Sequence, residues 1–237
     1  MLKEIPEIDF TDLKVTGGTL YIVSTPIGNL EDISFRALFI LKNVDFIAAE
    51  DTRTSGILLS SYGIKNKYIS YYSQVEADKS SMIINELKSG KSIALISDAG
   101  TPCISDPGNM LVSICIKEGI DVVSIPGASS LIHSLVLSGF STDKFYYQGF
   151  LPLKKGRETL FNELKNIKMP IIIFESPFRV LKTLQDILKY LGNKEVALGR
   201  ELTKKFEEIR RGKVKELLES KNSLKIKGEF VIVINNQ

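Results

Sequence analysis

The chain has 237 residues, of which 43% are hydrophobic and 25% charged, and its net charge is only +3. That length can bury a sizeable core in one large domain or two small ones, and the weak charge leaves any polyanion to be met by a local basic patch. The apolar runs fall far short of the roughly 20 residues that cross a bilayer, and MLKEIPEIDF lacks a signal-peptide start, so a cytoplasmic protein is expected.

Residues 1–17 are polar and aperiodic and read as an arm outside the core. From Thr19 onward, short β-rich runs alternate with amphipathic stretches, the pattern of βα units feeding a parallel or mixed sheet. Strands are expected at Thr19–Ser24, Phe46–Ala49, Tyr68–Tyr72, Ser92–Ile96 and Asp121–Ile125. Helices at Ser34–Leu41, Thr54–Tyr62, Asp78–Ser89 and Asn109–Glu118 alternate with them, the last three stopped by Gly63, Gly90 and Gly119. A second set has helices at Ser129–Ser138, Arg157–Ile167, Pro177–Leu191 and Val214–Glu219. Its strands are expected at Lys144–Gln148, Pro170–Glu175, Glu195–Arg200, Phe206–Arg211 and Glu229–Ile234, and their adjacency implies a mixed sheet. The expected fold class is α/β with two lobes: residues 18–124 around a mainly parallel sheet, and residues 125–237 around a mixed one, hinged near Ser124–Gly127.

Open α/β sheets bind ligands beyond the carboxyl ends of their strands. There the first strand runs into Thr25-Pro26-Ile27-Gly28-Asn29 and the fifth into Pro126-Gly127-Ala128-Ser129-Ser130. The fourth runs into Ser97-Asp98-Ala99-Gly100-Thr101-Pro102, followed by Ser105-Asp106-Pro107-Gly108. Any one of these is an ordinary turn, but three on the ligand-binding face read as a site where Gly and Ala let a ligand touch backbone. The fourth-strand loop carries two Asp and no basic residue, so it suits a cation such as a sulfonium better than a polyphosphate. Neither GxxxxGK[ST] nor GxGxxG occurs at these strand ends, which argues against a P-loop NTPase or an ordinary dinucleotide enzyme. One histidine and two unclustered cysteines, Cys103 and Cys115, argue against a Cys/His metal site, and both thiols read as apolar fillers.

Four charged segments stand at other loop ends: Glu50-Asp51-Thr52-Arg53, Gly149–Pro152 followed by Lys154, Lys155 and Arg157, Glu175–Arg179, and Arg200–Lys204 leading into Phe206. Cations near Phe150, Phe178 and Phe206 suit phosphates and stacked bases. They suit structural ion pairs equally well, Glu175 with Arg179 and Glu201 with Lys204, and the residues alone leave both readings open.

Taken in order, GTLYIVSTPIGNLEDISFRAL, AEDTR, SDAGTPCISDPG, IPGASSLI, GFLP, ESPFR, RELTKKFEE and RG resemble the tetrapyrrole-methylase superfamily. Within it they are most similar to the small-subunit ribosomal RNA 2′-O-ribose cytidine methyltransferases, from about Gly18 to Ile234. The resemblance implies a homodimer of two-lobed subunits with S-adenosylmethionine in the cleft between lobes. It implies donor contacts at Pro26, Ile27, Gly28, Asp98, Ala99, Gly100, Thr101, Pro102, Ile104 and Ser129. The implied acceptor is the ribose 2′-hydroxyl of a decoding-region cytidine, in an assembled or assembling small subunit.

On that reading Arg53, Lys154, Lys155, Arg157, Arg179, Arg200 and Lys204 are expected to border the RNA, and Glu50, Asp51, Glu175, Glu201 and Lys204 are unranked candidates for handling the proton. The family usually has histidine where this chain has Phe178 and Phe206, and often where it has Thr54, so no mechanism here can use those imidazoles. A ring at Phe178 or Phe206 can still stack. The lone His133 lies in an apolar helical stretch and is read as a core or interface residue. Two other functions remain: a corrin-precursor methyltransferase, and an RNA-binding assembly factor without turnover.

Overall fold

The computed structural model describes residues 13–237, so residues 1–12 of the expected arm lie outside the described residues. The chain divides into two compact units, Met1–Ser129 and Ser130–Gln237.

Unit 1 holds β1 (Thr19–Val23), β2 (Phe46–Ala49), β3 (Tyr68–Ser70), β4 (Ile93–Ile96) and β5 (Asp121–Ile125) in one all-parallel sheet of order β3-β2-β4-β1-β5. Every residue of β1 and β4 is buried, as a parallel strand covered on both faces requires. The strand period of two sorts the side chains. Tyr21, Val23, Ala94 and Ile96 pack with α1 (Phe35–Asn43) and Leu59 of α2 (Thr52–Ser61). Leu20, Ile22, Ile93 and Leu95 pack with residues of α3 (Glu76–Lys88) and α4 (Asn109–Lys117) on the opposite face. Ser34 opens α1 by accepting a hydrogen bond from the Ala37 amide, and Asp51 opens α2 by accepting from Arg53. Because β1 lies between β4 and β5, the carboxyl ends of these three strands sit side by side, where such a sheet receives ligands.

Unit 2 holds β6 (Tyr146–Phe150), β7 (Ile171–Glu175), β8 (Glu195–Arg200), β9 (Glu208–Lys213) and β10 (Phe230–Ile234) in the order β6-β7-β10-β8-β9. Only the β6–β7 pair is parallel; the other pairs are antiparallel, so the sheet is mixed as expected. Its helices are α5 (Ser130–Ser138), α6 (Arg157–Leu164), α7 (Val180–Tyr190) and α8 (Val214–Glu219), and its core gathers Phe161, Leu184, Ile187, Ile173, Leu198 and Ile232. The register pairs Phe150 with Phe174, Phe230 with both Glu175 and Arg200, and Arg200 with Glu208. One end of this sheet therefore collects the charged segments singled out in the second half of the sequence.

Several boundaries shift, three of them beside the charged segments of unit 2. β6 begins at Tyr146, whose amide donates to Pro170 O, and a register shift between Tyr147 and Gly149 carries it on to Phe150. β9 begins at Glu208 because residues 201–207 form successive turns, Lys204 N bonding to Glu201 O and Glu207 N to Lys204 O. α7 begins at Val180 rather than Pro177: the carbonyl of Ser176 accepts from both Arg179 and Val180, closing a turn before the helix. Among the described residues no helix is long and apolar enough to cross a membrane.

Candidate functional site

In unit 1 the three loops after β1, β4 and β5 come together. Thr25 and Gly100 exchange both backbone hydrogen bonds, at 2.8 and 3.1 Å, and the Ser24 amide donates to Ile125 O at 3.2 Å. The Thr101 hydroxyl donates to Ala128 O at 3.3 Å and lies 3.0 Å from Ser24 Oγ. Thr25 Oγ1 donates to Ser97 O at 3.4 Å. The hydroxyls of Ser24, Thr25 and Thr101 thus add to the backbone links between the loops. Small size matters as much: a Cβ on Gly127 would stand 2.9 Å from that of Ser24. Gly100 takes φ +82°, and a Cβ there would press on Ile27 at 3.2 Å. Pro26, Ile27, Gly28, Asp98, Ala99, Gly100, Thr101 and Pro102 thus belong to one loop constellation; Ser129 ends its third loop and Ile104, 39% exposed, extends its second.

Carboxylates line the same sheet end. Glu50 Oε2 accepts from the Asp98 amide at 3.3 Å while Asp98 Oδ1 accepts from the Asp51 amide at 3.1 Å, a crossed pair that ties the end of β2 to the end of β4. Asp51 also grips Arg53 at 2.7 Å, and the hydrogen bonds from Arg53 hold its carboxyl down at about 2. Burial, opposed by the bond from the Asp98 amide and helped by neighbouring charges, raises Glu50; burial likewise raises Asp98. Asp106 is pushed up to about 6 by burial and by the charge of Glu50. Its loop is strained, with Cys103 at φ 72° and Ser105 at φ 65°, a conformation costing about 1–3 kcal/mol per non-glycine residue. Glu76 holds that loop by accepting from the Gly108 amide at 2.9 Å and from Tyr71 at 3.1 Å. A bound cation would relieve the repulsion among these carboxylates, and a phosphate would add to it. Among the described residues no group of three or more His, Cys, Asp or Glu side chains is placed to hold a metal.

In unit 2 a buried chain of polar contacts spans the loops after β6 and β7. Arg157 donates to Asp186 (2.8 Å), Pro152 O (3.0 Å) and Thr183 (2.7 Å), and Thr183 donates to Glu175 at 2.7 Å. Glu175 also accepts from the Ser176 amide and pairs with Arg179 at 2.6 Å, and Arg179 donates to Leu151 O at 2.9 Å. Arg157 and Arg200, both expected to border RNA, are instead buried to 8% exposure, Arg200 paired with Glu208 at 3.1 Å and bonded to Phe206 O. Lys204 sits between Glu201 and Glu229, 2.9 Å from each. Lys154 and Lys155 are exposed. So are rings: Phe178 at 96%, Phe206 at 60% and Phe150 at 54%. His133 is half-buried on α5, with Nε2 3.6 Å from Glu207.

The profile of the Tetrapyrrole (Corrin/Porphyrin) Methylases matches residues 19–218. Relatives named ribosomal RNA small subunit methyltransferase I are 47% identical in Halalkalibacterium halodurans, covering 92% of this chain and 75% of the relative, and 46% identical in Thermotoga maritima, covering 93% and 99%. The chain belongs to the ribosomal RNA small subunit methyltransferase I family of tetrapyrrole methylases. Solved structures with the same fold include a cobalt precorrin-4 methyltransferase (TM-score 0.66, 18% identity, covering 92% of this chain and 94% of that one). Another is a uroporphyrin-III C-methyltransferase from Thermus thermophilus complexed with S-adenosylhomocysteine (TM-score 0.62, 15% identity, covering 91% and 96%).

Within this family's frame the five proton-handling candidates separate. Both oxygens of Glu175 are engaged by Ser176, Arg179 and Thr183. Glu201 accepts from Lys204 and the Glu229 amide; burial raises its carboxyl, but those two bonds outweigh burial and lower it. Burial lowers Lys204, but Glu229 and Glu201 overcome it and hold the amine charged. Asp51 is too acidic to take a proton near neutrality. Among the four carboxylates, Glu50 alone combines a raised proton affinity with partial exposure. Sequence reasoning missed Thr183 and Asp186 as working residues, and counted Asp106 only among the acids of its loop. The spacing of Lys182 and Asp186, four apart and 2.9 Å from each other, was a local hint of Asp186; nothing local marked Thr183.

Proposed function

We propose that this chain transfers a methyl group from S-adenosylmethionine to the 2′-hydroxyl of a cytidine ribose in the decoding region of small-subunit ribosomal RNA. The observation that carries the donor assignment is the cross-linked loop constellation of unit 1. It offers side-chain-free backbone at Gly100, held against Thr25, and carboxylates at Asp98, Glu50 and Asp106, a lining suited to a positively charged ligand. The acceptor is supported by the relatives at 46–47% identity, whose name specifies small-subunit ribosomal RNA. The same reading makes the protein a cytoplasmic homodimer acting on an assembled or assembling subunit.

The donor supplies an activated methyl on a sulfonium and leaves as a neutral thioether. The protein's task is to fix the geometry and exclude water, which can lower a barrier by about 7–11 kcal/mol. Pro26–Gly28, Asp98–Pro102, Ile104 and Ser129 hold the donor in this proposal. Glu50 takes the hydroxyl proton: it sits beside Asp98 and its proton affinity rises further once the cation's charge has gone. Arg53, Lys154, Lys155, Arg179 and Lys204 meet phosphates. Arg157 and Arg200 act as scaffold within unit 2, because their guanidinium groups are committed to Asp186 and Glu208.

Incubation with labelled S-adenosylmethionine and either undermethylated small subunits or a corrin precursor tests the proposal. Label in ribosomal RNA is expected; label confined to the tetrapyrrole would transfer the protein to the chemistry named for its structural neighbours. Tight donor binding in a calorimetric titration is also expected, and its absence would favour an assembly factor without turnover.

A further inference from the structure

The most exposed large hydrophobic side chain of the described residues is Phe178, 96% accessible in the turn between β7 and α7. A flexible loop would let such a ring fold onto neighbouring apolar surface, but this turn is fastened from beneath. Its first carbonyl, Ser176, accepts from Arg179 and Val180, and the Ser176 amide is held by Glu175. Arg179 is fixed by Glu175 on one side and by Leu151 O on the other, and Glu175 is fixed in turn through Thr183 and Arg157 to Asp186. The ring is therefore held out on a rigid base.

Its surroundings specify what it meets. Arg179 joins this turn to the end of β6 and the loop after it, which present Phe150 at 54% exposure, Leu153 at 77%, and the exposed Lys154 and Lys155. Exposed rings beside unpaired-sign cations match the needs of an unstacked single strand, whose bases want π-faces and whose phosphates want positive charge. An aliphatic protein surface would have no use for the lysines.

We propose that Phe178 is a stacking platform for an unpaired base of the RNA substrate, a positioning residue whose presentation is set by the buried Glu175–Thr183–Arg157–Asp186 chain. The inference rests on the RNA reading above and adds to it the residue that grips a base.

The test compares wild type with Phe178→Ala, Phe178→Leu and Phe178→Trp. It measures binding to undermethylated small subunits by filter retention, methylation kinetics on them, donor affinity by calorimetry, and oligomeric state by light scattering. Expected are a roughly 5- to 100-fold loss of subunit affinity, with a matching rise in KM, for Ala. Leu should lose nearly as much, Trp should restore wild-type values, and donor affinity and melting temperature should not move. Equal rescue by Leu and Trp would replace stacking with plain apolar contact and overturn the proposal, as would unchanged affinity in Ala. A changed oligomeric state in Ala would assign the ring to a second copy of the chain and also overturn it. If wild type binds subunits but transfers no methyl, the proposed function falls while the binding series still decides Phe178.

Discussion

Burial and the charge of Glu50 push the Asp106 carboxyl up to about 6 from an unperturbed 3.8. With the folded value raised, the native state binds more protons than the unfolded chain between those values, so this group favours folding below about pH 4 and that contribution is lost as pH rises through about 6. In donor-free protein, Asp106→Asn is therefore expected to raise stability by about 1–3 kcal/mol at pH 8 and by nothing at pH 4, read from melting curves at the two pH values. An equal or negative shift at pH 8 would remove the carboxylate repulsion from the account. Glu50→Gln should lower kcat about 10²–10⁴-fold, with donor affinity reduced far less; unchanged kcat would eliminate Glu50 as proton acceptor. Arg53 is 88% exposed at its side chain, so Arg53→Ala should flatten the salt dependence of RNA binding by about one phosphate contact and leave melting unchanged. At this scale much was legible: Asp98 and Gly100 stood out by loop composition. Asp106 was quoted with its loop, but its raised proton affinity comes from Glu50, a residue 56 positions earlier that sequence spacing cannot bring near.

Between elements, the polar chain under β6, β7 and α7 does work the charged segments only hinted at. Asp186 is 5% exposed and holds Arg157, itself 8% exposed, so Asp186→Ala leaves a buried guanidinium unpaired. A loss of about 3–5 kcal/mol is expected in urea unfolding, and a loss under 1 kcal/mol would mean that the pair carries little weight. Gly100→Ala should weaken donor binding by forcing a side chain into φ +82° against Ile27, measured by calorimetry. Among the described residues the βα rhythm located each strand and α-helix, helped in unit 1 by buried parallel strands such as Ile93–Ile96 that advertise themselves by composition, but not the 3-10 turns Leu30–Asp32 and Lys221–Ser223. The start of α7 eluded it because Pro177 fits a first helical turn, whereas the Ser176 carbonyl closes a separate turn there. Arg157 was read as surface for a related reason: charge suggests exposure until Asp186 and Thr183, 29 and 26 residues on, are seen to enclose it.

Over the whole molecule, family membership and a mainly parallel sheet beside a mixed one were legible because TPIGNL, SDAGTPCISDPG and ESPFR lie in a fixed order at strand ends. The acceptor is the point at which fold stops informing. The cobalt precorrin-4 and uroporphyrin-III enzymes share this architecture at 15–18% identity, so the architecture alone accommodates more than one substrate class. Acidic loops in unit 1 and exposed Phe178 with Lys154 and Lys155 in unit 2 are features of this chain that favour a cationic donor and a polynucleotide. The most direct measurement is mass spectrometry of nuclease digests of small-subunit ribosomal RNA from cells with and without this gene. A single 2′-O-methylcytidine in the decoding region, present in one strain and missing from the other, is the predicted result. Identical ribose methylation in both strains would contradict it.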